Sequence, residues 1–148
     1  MPDVIQYPLP ALHFLVSWGD SNNTVSFSEV SGLTLESEPI EYRGGDDITL
    51  TVRKVPGLKK YGNVTLKRGV VGSENGFWDW WNTIQSGTVE RRTVTISLLN
   101  EKHAPVMTWE IQQAWPVKVE GPSLNAKGNE IAVETLEFAH EGMKVTAV

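Results

Sequence analysis

Apolar and polar residues alternate with period two along several stretches of this chain, the signature of strands with one buried and one wet face. Residues 62–69 set Val64 and Leu66 against Thr65 and Lys67. Residues 88–99 set Arg92, Val94, Ile96 and Leu98 against Arg91, Thr93, Thr95 and Ser97. Residues 106–115 set Met107, Trp109, Ile111 and Trp115 against Thr108, Glu110, Gln112 and Ala114. The last two, joined by residues 100–105, predict an antiparallel hairpin with strands of about ten residues, long against a common 5–6. Phe14, Val16 and Trp18 mark an earlier strand over residues 12–18, which a turn over 19–23 returns as a second run over 24–30. Residues 33–42 read as a strand with an acidic face of Glu36, Glu38 and Glu41. Within it Pro39 lacks a ladder donor and requires a bulge or strand end. A last strand is predicted over residues 130–138, before a short tail.

After Gly72 the period changes. Ser73 is placed to cap a helix over residues 73–86, with Phe77, Trp78, Trp81 and Ile84 on one side and Gly87 beyond its end. Trp80 is out of phase with that stripe. Residues 43–58 contain the turn Gly44-Gly45-Asp46-Asp47, an alternating piece at residues 48–52, and Pro56-Gly57. This excursion is too long for a tight hairpin loop, and such segments usually carry function or find a partner. Residues 1–11, with Pro2, Pro8 and Pro10, read as an extended arm. About seven strands and one short helix must bury their apolar faces on one another. The expected fold is a mainly β single domain over residues 1–148, an antiparallel barrel or sandwich with the helix plugging an open side.

Composition narrows the function. A net charge of −5 without a basic block argues against avid nucleic-acid binding, which rests on Lys and Arg neutralising phosphates, yet it suits a wall past which a polyanion slides. The absence of cysteine excludes disulfides and thiolate metal sites and fits a reducing compartment. The opening residues carry Asp3 and no apolar run, so no signal peptide is expected, and no stretch approaches the ~18 apolar residues of a membrane span.

His13, His103 and His140 sit in three different contexts without metal-ligand spacing, and no nucleophile elbow or phosphate loop is present. No catalytic residue, metal or cofactor is therefore expected. Glu36 with Glu38, and Glu134 with Glu137, offer the carboxylate pairs of a glycosidase-like hydrolase. Acidic residues on an exposed strand face are more simply solvated. Trp78, Trp80, Trp81, Trp109 and Trp115 suggest a carbohydrate-binding β module that stacks on sugar rings. Against that alternative, every one of these except Trp80 has a phase that points into the core.

Several motifs then occur together. They are Tyr7-Pro8-Leu9-Pro10 with Phe14; Phe27-Ser28-Glu29-Val30-Ser31-Gly32-Leu33; Glu41-Tyr42-Arg43-Gly44-Gly45; and Val55-Pro56-Gly57-Leu58. Lys60-Tyr61-Gly62-Asn63-Val64-Thr65-Leu66-Lys67-Arg68-Gly69 runs into the Trp-rich helix, and Ala114-Trp115-Pro116-Val117 and Ala139-His140-Glu141-Gly142 follow. In this order they resemble the inner tube proteins of phage tails and phage-derived contractile injection systems. The resemblance covers nearly the whole chain.

It implies a structural subunit and not an enzyme. Six copies would form a ring with one continuous β-barrel around a channel, and rings would stack into a tube within a contractile sheath. Closure of this kind also removes the unpaired edges that long strands leave in a small domain. Implied partners are the chain itself, the sheath, baseplate and terminator or cap proteins, and a cargo protein or DNA in the lumen. Assembly in the bacterial cytoplasm and release as an extracellular particle are expected, with no direct membrane anchor. The channel-lining residues would be Glu36, Glu38, Thr65, Lys67, Arg91, Thr93, Thr95, Ser97, Thr108, Glu110 and Gln112. Contacts between subunits or rings would fall on Tyr42, Arg43, Asp46, Asp47, Arg53, Lys54 and Trp80.

Overall fold

The structure, a computed structural model, describes residues 7–19, 26–72, 75–85 and 87–148. Ser73, the start of the arm, residues 20–23 of the turn expected over 19–23, and residues 24 and 25 of the run that follows lie outside the described residues. Among those described, the order is β1 (Phe14–Ser17), β2 (Glu29–Ser31), β3 (Leu35–Tyr42), β4 (Arg53–Tyr61), β5 (Val64–Gly69), α1 (Gly76–Trp81), β6 (Arg92–Leu99), β7 (Pro105–Glu120), β8 (Val133–Ala139) and β9 (Gly142–Ala147). The class is mainly β and every pairing is antiparallel.

One strand organises the rest. The first half of β7 pairs with β6 on one side and β9 on the other, and β1 completes that sheet beyond β6. The second half of β7 pairs with β8, followed outward by β5 and β2. Val16, Val94, Ile96 and Ile111 from the first sheet and Val64, Leu66, Leu136 and Phe138 from the second bury their side chains in one shared core. The result is a sandwich whose sheets share a strand. No closed barrel forms among the described residues, because β1 and β9 at one sheet and β2 at the other remain unpaired edges.

The alternation places Val64, Leu66, Val94 and Ile96 in the interior as predicted. Elsewhere the structure departs from expectation for local reasons. The described parts of the runs at residues 12–18 and 24–30 do not pair with each other, because Phe14 is registered on Leu98 in one sheet and Val30 on Leu66 in the other. β6 begins later than expected, since Gln85 and Thr88 close a tight turn by mutual backbone hydrogen bonds of 2.9 Å. β7 continues through Pro116, which sits opposite Phe138 next to a register shift and is tolerated there. Gln113, at φ 56°, is the extra residue of a bulge, so Ile111 and Ala114, three apart, both face inward and Trp115 is only half-buried. The C-terminal tail is a full strand, β9.

The last part of the excursion over residues 43–58 is strand, since β4 begins at Arg53, and residues 43–52 form the connection between β3 and β4. β3 and β4 form a two-stranded sheet of their own, exposed along nearly its whole length. Pro39 faces Pro56 where the register shifts, and Gly57 there permits a close approach, since a Cβ would lie 2.5 Å from the Glu38 carbonyl oxygen.

Helix α1 is one and a half turns and buries Phe77 and Trp80. Trp80 donates its indole N–H to the Glu90 carbonyl at 2.8 Å and is fully buried, whereas Trp78 is 53% exposed. The predicted stripe holds at Phe77 and fails at Trp78 and Ile84: the i, i+3 pair Phe77 and Trp80 faces the core, and Trp80 is not available as a subunit contact.

Candidate assembly site

Alternation on β6 and β7 forces one side of their sheet outward once Val94, Ile96 and Ile111 are buried. Cross-strand register then builds two rows on that side, Ser17–Thr95–Glu110–Lys144 and Leu15–Ser97–Thr108–Thr146. Thr93 and Gln112 extend the face, and Arg91, just before β6, reaches Glu141 at 3.4 Å. Most of the residues predicted to line a channel are therefore gathered on one hydroxyl-rich surface. Lys144 and Thr146 belong to it as well. No local pattern announces them, because their place depends on the long-range pairing of β9 with β7.

The remaining predicted lining residues lie elsewhere. Thr65 and Lys67 point away from the core on the second sheet, beside Ser31 and Glu137 and beside Glu29 and Thr135. Lys67 stands 3.7 Å from the Glu29 carboxylate. The outer sides of two sheets that share a core look away from each other. Glu36 and Glu38 lie on the β3–β4 hairpin, where Lys60 donates to Glu38 at 2.6 Å. That hydrogen bond, with the attraction of the carboxylate, holds the Lys60 ammonium pKa above its ordinary value.

The predicted contact residues other than Trp80 cluster in the outer half of the hairpin. Tyr42 pairs with Arg53 and Glu41 with Lys54. Arg43 fixes the tip by donating to the carbonyls of Asp47 and Thr49, each at 3.1 Å, while Asp47 accepts from the Gly44 amide at 2.9 Å. Ile48 and Leu50 beyond it are fully exposed. An apolar tip on a pinned, two-faced hairpin is costly in water unless another surface covers it.

The enzymatic and sugar-binding readings lose their geometry. Glu134 turns inward to accept from Arg68 at 2.6 Å, whereas Glu137 is three residues on and lies on the outer side, opposite Thr65. Trp80 is interior and Trp109 packs against the core, so the tryptophans make no common platform. Among the described residues no group of three or more His, Cys, Asp or Glu is placed to hold a metal.

The profile of the T4-like virus tail tube protein gp19 matches residues 10–144. The chain belongs to that tail tube family. A chain of the anti-feeding prophage cap, described as the tube terminating cap, superposes with a TM-score of 0.90 at 32% identity, over 99% of this chain and 96% of the other. A chain of the sheath-tube complex of the extracellular contractile injection system PVC, in its extended state, gives 0.87 at 36% identity over 97% and 95%. Hcp1 from Flavobacterium johnsoniae, at 0.58 and 11% identity over 91% and 95%, shares the fold. None of the curated proteins matches the chain. The tail tube assignment leaves the carbohydrate-binding alternative without support.

Proposed function

We propose that copies of this chain join edge to edge into hexameric rings, and that the rings stack into the inner tube of a contractile phage tail-like particle. The observation that carries this reading is the hydroxyl-rich outer face of the β1–β6–β7–β9 sheet, bounded on both sides by unpaired edge strands. A sheet with two open edges and a wet, weakly charged face is suited to continue into a neighbour's sheet and to form a smooth wall. On this reading Thr93, Thr95, Ser97, Thr108, Glu110 and Gln112 face the bore. Thr65 and Lys67 face outward.

The exposed β3–β4 hairpin reaches a neighbouring subunit or the next ring through Tyr42, Arg43, Asp46, Asp47, Arg53 and Lys54, with Ile48 and Leu50 as its apolar anchors. The N-terminal arm supplies a further contact. Sheath, baseplate and cap proteins are the partners outside the tube, by similarity to the particles from which its relatives come, and cargo occupies the lumen. Assembly takes place in the bacterial cytoplasm before release of the particle. The role is mechanical and not catalytic: each ring withstands thrust, which calls for interfaces above ~2,000 Å².

The test is electron microscopy of the purified protein combined with cysteine labelling, which the cysteine-free sequence makes clean. Assembled tubes of Thr95→Cys should resist a maleimide too bulky to enter the bore, while Lys67→Cys tubes react. The reverse pattern would assign the bore to the other sheet, and a lone monomer under all conditions would remove the ring. Deleting residues 46–54 should leave a folded chain that no longer stacks.

A further inference from the structure

The structure brings together two histidines that lie far apart in sequence. His13 immediately precedes β1, and His103 sits in the turn between β6 and β7. Their imidazole centroids are 4.7 Å apart with ring planes tilted by 50°, and both residues are exposed. Their backbones are fixed by neighbouring strands. The His13 carbonyl accepts from the Leu99 amide at 2.8 Å, and the His103 amide donates to the Asn100 carbonyl at 2.9 Å. The Asn100 side chain closes the turn by accepting from the amides of Lys102 at 2.9 Å and Ala104 at 3.0 Å. His103 itself takes φ 60°, a conformation few non-glycine residues adopt.

Two imidazoles on one divalent cation have a defined separation. With nitrogen–metal bonds of about 2.0–2.1 Å and a ring centre roughly 1.1 Å beyond each nitrogen, angles of about 90–109° at the metal put the centroids roughly 4.5–5.2 Å apart. The observed spacing falls inside that range, and the tilt is not that of two stacked rings. We propose that His13 and His103 form a two-histidine chelate for a borderline divalent cation of the zinc class. Imidazole nitrogen suits zinc, copper and nickel, whereas calcium and magnesium prefer oxygen. Among the described residues no third His, Cys, Asp or Glu joins the pair, so water completes the coordination. The bound cation staples the segment that precedes β1 to the β6–β7 turn. This is the same end of the sheet at which Val148 donates to the Val106 carbonyl.

The chelate lies within one chain and does not depend on tube assembly. Titration calorimetry of the full chain with Zn2+ should show one site. His13→Ala and His103→Ala should each weaken binding at least tenfold, and as much as the double variant does, because a chelate needs both rings. Zn2+ should also slow proteolysis in residues 7–12 of the unmodified chain and of no variant lacking either ring. Far-UV circular dichroism checks folding, which two exposed side chains do not govern. Absence of Zn2+ binding by the unmodified chain overturns the proposal. So does wild-type affinity in either single variant, or a Zn2+ site lost on replacing His140 alone.

Discussion

The guanidinium of Arg68 lies 3.9 Å from the ring centre of Phe77 while its Nε donates to Glu134 Oε1 at 2.6 Å. Trp18 and Phe27 complete the surround at 5.5 and 5.7 Å, and the residue is wholly buried. A charge taken this far from water persists only when paired, and removal of one partner leaves the other uncompensated. Arg68→Ala should therefore destabilise the chain by about 3–5 kcal/mol. Arg68→Met combined with Glu134→Leu should recover most of that. Urea denaturation of the unmodified chain and the two variants checks it, and a double variant no better than the single would mean that packing, not charge, is what Arg68 supplies.

Two tryptophans two residues apart should respond oppositely to substitution. Trp80→Phe removes the hydrogen bond to the Glu90 carbonyl and leaves a void beside Trp18, whose ring lies 5.9 Å away, and should cost about 2–4 kcal/mol. Trp78→Ala, on the exposed side, should change folding stability by less than about 0.5 kcal/mol. Thermal melts decide between this and the reverse order.

Gly32 anchors the root of the β3–β4 hairpin. At φ 89° an added Cβ would meet the backbone carbonyl oxygen of Asn63 at 2.1 Å, an atom that cannot swing aside. Gly32→Ala should destabilise by more than about 1 kcal/mol. Gly45→Ala, where the Cβ would meet nothing within 4 Å, should leave the melting temperature nearly unchanged. Equal melting temperatures for the two variants would show that the root yields without cost.

His140 makes stability depend on pH. Its Nε2 contacts the Gly62 carbonyl at 3.1 Å, and its ring lies 5.4 Å from that of Tyr61. Burial holds its pKa below the ordinary value, against the pull of the Gly62 and Gly142 backbone groups. Below about pH 6.5 the unfolded chain takes up the proton first, so stability falls as pH drops through that value and levels off once the folded chain also protonates. His140→Gln should flatten the dependence of the urea midpoint between about pH 5 and pH 7. An unchanged slope would assign the effect to another group.

The strands that were legible in the sequence are those whose alternation runs unbroken, such as Val64–Leu66 and Val94–Ile96. Where one residue breaks the phase, alternation no longer reports which face is buried. The bulge at Gln113 moved Ala114 inward and Trp115 outward. Pro56 and Gly57 look like a turn, yet they match Pro39 across a shifted ladder. In a helix as short as α1, Phe77 pairs equally well by period with Trp80 or Trp81, so only packing against Trp18 decides. The candidate surface suffered less, because polar residues on β6 and β7 stay on one side up to the bulge. Its extension onto β9 depended on a long-range pairing that no local pattern announces. The His13–His103 pair is of the same kind.

Strand β7 runs through both sheets as a single backbone, and at about 3.3 Å per residue its sixteen residues span roughly 50 Å. A pull on either layer is passed to the other along covalent bonds and does not rely on side chains gripping across a gap. Each subunit thereby carries its own tie rod.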